Sequence, residues 1–228
     1  MTDEKRVVIL GGHGKVALLA APRLVSAGYR VDSVIRNPAQ ATDVEAAGGN
    51  PVVLDIEDAS VDQLAELFAG AAAIVFSAGA GGGSPARTEA VDHVAAVRAM
   101  DAAAQAGVER FVIVSYATVG IDLDRVDPAD SFYPYVVAKH AADAHLRDTD
   151  LDYTILGPGL LTLSPATGSV TIADANGDIA GRKPTREESV TSRDTVAAVI
   201  AHVIATGSGS RATVNFYEGS TPIAEAIG

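Results

Sequence analysis

The chain has 228 residues, 48% of them hydrophobic, with no cysteine and no tryptophan. That length buries one sizeable core, the apolar fraction excludes a disordered chain, and the absent cysteines exclude disulfides, thiolate metal sites and cysteine nucleophiles. A formal charge of −12 and an aromatic content of 5% argue against nucleic acid, whose phosphates attract basic surfaces and whose bases stack on aromatic ones.

The first ordered stretch runs from Arg6 to Arg36. A short apolar run, Val7 to Leu10, predicts a strand; Gly11, Gly12 and Gly14 predict a turn; Val16 to Ala27 predicts an apolar helix; and a second strand-like run ends at Arg36. This is one βαβ unit. Gly11 suits the tight turn, Gly14 lets the backbone approach an anionic ligand, and Ala17 is small enough for close packing of helix on strand. The free N–H groups and positive dipole end of that helix suit a pyrophosphate. A tight βα turn with no ligand is the alternative. Arg36 closes the second strand, where a carboxylate would accept from an adenosine ribose hydroxyl. A guanidinium there grips a 2′-phosphate instead, so NADP(H) is expected over NAD(H), unless Arg36 is only a surface residue before Asn37-Pro38. Asp32 falls too early on the strand to serve as an NAD-type acid.

Pro38 to Ala47 predicts a short helix, and Asn50-Pro51 leads into a third strand, Val52 to Leu54. Asp55 and Ile56 follow at its carboxyl edge, where they would meet adenine; an acidic turn capping the next helix, Val61 to Phe68, reads equally well. A fourth strand, Ala72 to Phe76, ends in Ser77, Ala78 and Gly79, assigned to the cofactor, with Gly81 to Pro85 assigned to mobility. A long helix from about Arg87 to Ala106 carries Val91, Val94 and Val97 on one stripe and ends at Gly107. Asp92 shares that region, either as a solvated charge or as a brace for the neighbouring strand. Glu109 to Ser115 predicts the fifth strand, Pro134 to Arg147 a helix, and Thr149 to Leu156 the sixth strand. Beyond Gly157-Pro158-Gly159, Ser169 to Ile172 and Ser189-Val190 predict short strands around an exposed excursion, GDIAGRKPTREE. Arg193 to Ala205 predicts a helix, Ala212 to Phe216 a strand, and Thr221 to Ile227 a terminal helix. The fold class is therefore α/β, a doubly wound parallel, Rossmann-like sheet with a small C-terminal substrate-side extension. One domain spans 1–228, with 160–190 as the substrate-side excursion.

Tyr135 and Lys139 stand four apart on a predicted helix and share a face. A nearby ammonium favours the phenolate, so Tyr135 is expected to exchange a proton with a carbonyl or alcohol while Lys139 reaches a nicotinamide ribose. A half-buried tyrosine beside a snorkelling lysine is the structural alternative. Tyr133 is out of register with Lys139. His13, His93, His140, His145 and His202 form no ligand cluster, and no metal is expected.

In the order GGHGKVA, VIRNP, VLDIED, AGVERFVIVS, YPYVVAKHAAD, LDYTILGPG, SVTSRDTVAAVI and FYEGSTPIAEAI, the chain resembles the atypical short-chain dehydrogenases/reductases. The resemblance is to their small NAD(P)-binding "NAD-dependent epimerase/dehydratase-like" group, related to biliverdin/flavin reductase and NmrA-like proteins, and it covers nearly the whole length. It implies that Gly11, Gly12, His13, Gly14, Lys15 and Val16 cradle pyrophosphate and that Arg36 meets the 2′-phosphate. It places Asp55 and Ile56 at adenine, Ser77, Ala78 and Gly79 along the cofactor, Tyr135 and Lys139 as acid/base pair, and Pro158 beside the nicotinamide. Two positions depart from the family. Ala117 stands where a catalytic serine often does, leaving Ser115 or Thr118 to serve, and Gly157 replaces the arginine of the usual Arg-Pro-Gly.

The resulting expectation is an NADP(H)-dependent oxidoreductase passing hydride to a carbonyl, quinone or flavin-like acceptor. The alternatives are an NADP(H)-sensing binding protein and a nucleotide-sugar epimerase or dehydratase, the last disfavoured by the short remainder after Gly159. The expected partner is a small-molecule substrate, not nucleic acid or membrane. A monomer or small homo-oligomer in the cytoplasm is expected, because no signal-peptide-like or membrane-length apolar run is present.

Overall fold

The computed structural model describes residues 5–81, 84–117, 123 and 126–228. Thr118 and the glycines at 82 and 83 lie outside them.

Seven parallel strands form the heart of the sheet: β1 (Arg6–Leu10), β2 (Arg30–Ile35), β3 (Asn50–Val53), β4 (Ala73–Phe76), β5 (Arg110–Val114), β6 (Asp152–Pro158) and, much later in the chain, β10 (Ala212–Glu218). Between β6 and β10 come β7 (Leu160–Thr162), β8 (Ser169–Ala173) and β9 (Val190–Ser192), and β11 (Thr221–Pro222) follows β10. The order across the sheet is β11-β8-β10-β6-β5-β4-β1-β2-β3, with β8 antiparallel to β10 and to β11. The strands are apolar on both faces because helices cover both. On one side α1 (Lys15–Ser26), α7 (Arg193–Thr206) and α8 (Ile223–Ala226) enclose Val7, Ile9, Val75, Val112 and Leu156. The opposite side is covered by α3 (Val61–Phe68), α5 (Ala96–Gln105) and α6 (Tyr133–Arg147), which enclose Val8, Leu10, Ile74, Phe76, Phe111 and Ile113. A 3₁₀ turn, Pro38–Gln40, precedes α2 (Ala41–Ala46), and α4 (Pro85–Thr88) precedes α5.

The strand order reverses between β1 and β4, which both pair at Leu10↔Phe76 and then send their chains to opposite faces. The resulting crevice is where open α/β sheets hold ligands. Gly11 turns the chain there with φ +80°, and a Cβ on it would come within 2.6 Å of the Ala78 backbone. Only glycine lets the β1 and β4 turns approach so closely.

Several boundaries differ from expectation for physical reasons. The long helix is interrupted by a π-helical turn, Glu89–Ala95, which widens the backbone and rotates the face presented to the sheet. Val91 and Ala95 are buried but Val94 is 41% exposed, so the expected valine stripe is replaced by Val91, Ala95, Ala99 and Met100. The sixth strand starts at Asp152, because Thr149 caps the end of α6 through its hydroxyl, donating to the Leu146 carbonyl at 2.7 Å. It then runs on to Pro158, where parallel pairing with β10 carries it past Leu156. Leu160–Thr162 and Val190–Ser192 pair in parallel as a separate two-stranded sheet, so β7 is an addition to the expected elements. Ser189 itself lies outside β9.

Arg98 on α5 fixes the loop after β3, donating to the carbonyls of Ala59 at 2.6 Å and Glu57 at 2.7 Å. This loop carries Asp55 and Ile56. Arg98→Met leaves these carbonyls without charged donors, and a loss of about 2–3 kcal/mol in urea denaturation is expected. An unchanged midpoint would show that the loop is held by other contacts.

Candidate active site

Two cavities meet at the strand-order reversal. The first, of about 330 Å³, is walled by Gly11, His13, Gly14, Arg36, Asp55, Ile56 and Glu57 among others; the second, of about 670 Å³, reaches Ser115, Tyr135 and Lys139. Both are lined by Ser77, Ala78, Gly79 and Ala80, so the turn after β4 is the floor of one continuous groove.

The glycine turn contributes its backbone selectively. The Gly12 N–H donates to the Val34 carbonyl and the Gly14 N–H to the Gly11 carbonyl, both at 2.8 Å, and Gly14 caps α1 without a side-chain partner. The first helical bond comes at Leu18, so the leading N–H groups of α1 are directed outward with the positive end of its dipole. That geometry fits an anionic phosphate linkage. His13 and Gly14 line the first cavity and Val16 the second, whereas Gly12 and Lys15 line neither. The His13 Nε2 lies 2.8 Å from Asp43 Oδ2.

Arg36 emerges from β2 into the first cavity, its guanidinium 3.1 Å from Glu57 Oε1. Asp32, by contrast, is buried between Arg6 at 2.9 Å and Asn50 at 3.0 Å, a structural knot within the sheet. Asp55 accepts from the Glu57 N–H at 3.0 Å, and the turn caps the helix after it through Ser60, its last residue, in a capping box with Gln63 and not through a carboxylate.

At the far end, Lys139 is 1% exposed and donates to the Val114 carbonyl at 2.7 Å, tying α6 to the end of β5. Two buried carboxylates flank it. Asp92, 2% exposed, accepts from the Ala80 N–H at 3.0 Å and so braces the floor of the groove; Asp143, fully buried, accepts from the Ser115 hydroxyl at 2.6 Å. Burial pushes both carboxyls above their usual range, and the Lys139 ammonium partly offsets this. The Tyr135 phenol is pushed upward by burial first, then by Asp92, Tyr116 and Asp143. That is opposite to the expected lowering by Lys139: burial dominates, and the Lys139 ammonium donates to the Val114 carbonyl. Tyr116, Phe132 and Tyr135 form an aromatic cluster with ring centroids 5.0–5.9 Å apart.

Ser115 stands in the cleft, yet its proton is directed at Asp143. Pro158 is buried in β6, accepting from the Ala117 N–H at 2.9 Å, and Leu161 forms the wall on that side. The Gly157 departure has a steric cause: a Cβ there would collide with Asn215 Oδ1, and Asn215 is itself fixed by donation to the Asp174 carbonyl at 2.8 Å. An arginine has no room. Sequence reasoning missed Asp143, Glu57 and Arg87; of these Asp143 carried a signal, standing one helical turn after Lys139 on the same face.

A doubly wound sheet with this groove defines a dinucleotide-binding α/β protein. The chain belongs to the NAD(P)H-binding family, whose model matches residues 11–206. It is 35% identical to a Bacillus subtilis protein described as an uncharacterized sugar epimerase, YhfK, with 97% of this chain and 98% of that one covered. Among solved structures it resembles one from Bacillus halodurans named for the NAD-dependent epimerases/dehydratases (30% identity, 98% of both chains, TM-score 0.84). It also resembles the oxidoreductase ylbE from Lactococcus lactis (28% identity, 97% and 94% covered, TM-score 0.80). The resemblance to atypical short-chain dehydrogenases/reductases holds across the chain.

Gly157→Ala is expected to cost about 1–3 kcal/mol in thermal or urea denaturation, as overpacking does, and the Asn215→Ala background should remove most of that cost. Equal costs in both backgrounds would place the strain elsewhere.

Proposed function

We propose that this protein is an NADP(H)-dependent oxidoreductase that reduces a carbonyl, quinone or flavin-like acceptor. The observation that carries the reading is the single groove joining the phosphate-suited start of α1 to the half-buried Tyr135 and the buried Lys139 and Ser115. A bound NADPH supplies the hydride. The α1 N–H groups hold the pyrophosphate, Arg36 meets the 2′-phosphate, and Asp55 and Ile56 flank the adenine. Ser77, Ala78 and Gly79 support the middle of the dinucleotide, and Lys139 reaches the nicotinamide ribose. Tyr135 gives its hydroxyl proton to the acceptor oxygen and recovers one from water. Asp143 holds Ser115 with its hydroxyl proton turned away from the cleft, so Ser115 can accept a hydrogen bond there but does not donate one to the acceptor oxygen.

The upward displacement of the Tyr135 phenol supports a proton-donating role for it. A proton donor works below its pKa, so raising that pKa widens the range in which the phenol is loaded for reduction. It also depletes the phenolate needed to deprotonate an alcohol. The reductive rate should therefore stay level up to the ordinary tyrosine value near 10, while the oxidative rate stays low across the neutral range. A reductive rate falling with an apparent pKa near 7 would contradict this assignment.

The decisive assay follows NADPH oxidation across quinones, flavins and simple carbonyls. Tyr135→Phe should lower turnover by about 100-fold or more while leaving NADPH affinity within about twofold. No oxidation by any acceptor, with NADPH demonstrably bound, would favour the second reading, an NADP(H)-sensing binding protein. The observations on that side are the Ser115 proton committed to Asp143 and the apolar Ala117 at the serine's usual place.

A further inference from the structure

At the adenosine end of the groove two arginines converge on one oxygen. Glu57 Oε1 lies 3.1 Å from Arg36 Nη1 and 2.9 Å from Arg87 Nη2, and all three side chains line the same cavity. The arginines come from different elements, the end of β2 and the short helix α4. A single anionic oxygen bridging two guanidiniums is an arrangement that a phosphate oxygen reproduces, with further donors on each fork to spare.

We propose that Arg36 and Arg87 together form the seat for the 2′-phosphate, and that Glu57 is a built-in anion occupying that seat. This makes Glu57 and Arg87 specificity-determining residues. The inference rests on the reading of the groove as an NADP(H) site.

The backbone of Glu57 is fixed, its N–H donating to Asp55 Oδ1 at 3.0 Å and its carbonyl accepting from Arg98 at 2.7 Å. Only the side chain can yield. Its partners are open to water, Arg36 at 53% and Arg87 at 41% side-chain exposure, so the ion pairs can exchange for a ligand without disturbing the core. The charge balance sets the sign. Two guanidiniums and one carboxylate leave one net positive charge to face a phosphate dianion, and removing the carboxylate leaves two. Asp55 also borders the cavity, its carboxylate accepting from the Glu57 N–H, and its charge is common to the wild-type protein and the Glu57→Gln variant, so it does not alter the comparison between them. For NADH the balance differs, since a ribose hydroxyl is neutral and can donate to Glu57. The carboxylate therefore weakens binding of the phosphorylated cofactor selectively.

The test is calorimetric titration of the wild-type protein, Glu57→Gln and Arg87→Ala with NADPH, NADH, 2′,5′-ADP and 5′-AMP. Glu57→Gln should tighten NADPH and 2′,5′-ADP by about fivefold or more, with NADH and 5′-AMP within about twofold. Arg87→Ala should weaken the two 2′-phosphate ligands by about tenfold and leave 5′-AMP unmoved, which shows that the adenosine pocket remains intact. The gain from Glu57→Gln should shrink between about 50 mM and 500 mM salt, as exposed charges are screened. NADPH binding with an unmoved NADPH-to-NADH ratio in both variants overturns the assignment of Glu57 and Arg87 alone. Binding of neither dinucleotide to the wild-type protein overturns the cofactor reading beneath it as well.

Discussion

The groove depends on a buried ammonium. Lys139 is enclosed at the end of β5, where the Val114 carbonyl accepts from it, and an isolated charge in that position would be prohibitively expensive. Asp92 and Asp143 make it tolerable, and each brings a second duty. Asp92 holds the Ala80 N–H and thereby the floor shared by both halves of the groove; Asp143 orients Ser115. Removing one partner would leave the others uncompensated in a buried setting. The same carboxylates, together with burial, raise the Tyr135 phenol and leave it a proton donor.

Global and local electrostatics point in opposite directions in this chain. Its net charge of −12 repels polyanions, yet the start of α1 and the arginines at 36 and 87 create a restricted region that suits an anionic cofactor. Local helix ends and oriented guanidiniums act within a few ångströms, whereas the overall charge is screened beyond about 8–10 Å at physiological salt. Glu57 moderates this region from inside. An acidic surface that discourages nonspecific anions and a small basic seat that admits one are compatible for this reason.

Much of the architecture was legible in the sequence because local signals agreed with the fold. The apolar runs at β1, β4 and β5 are strands buried on both faces, and the Gly11 turn and the Tyr135-to-Lys139 spacing each depend on near neighbours in the chain. What was hidden depends on distant partners or on a change of period. The π-helical turn moves Val94 to the surface, a rotation that a constant 3.6-residue count does not foresee. The strand β7 exists because β9 lies beside it, thirty residues on, and carries no strong pattern of its own. Gly157 reads as a lost arginine until Asn215 is seen against it. Arg36 reads as an open phosphate site until Glu57 and Arg87, from two other elements, are found around it. Tyr135 and Lys139 share a helix face as their spacing implies, but the direction in which the phenol is shifted is set first by burial and then by Asp92, Tyr116 and Asp143, none of which the pairwise motif contains.

The central claim is that one dinucleotide spans the whole groove, with its adenosine end at Arg36 and its nicotinamide beside Tyr135. A crystal structure of the NADPH complex tests it most directly. The account requires the pyrophosphate at the first turn of α1, the 2′-phosphate within hydrogen-bonding reach of Arg36, and the reactive ring edge facing the Tyr135 hydroxyl. A cofactor lying elsewhere, or one whose nicotinamide is turned away from the Lys139 and Tyr135 end of the groove, would contradict it.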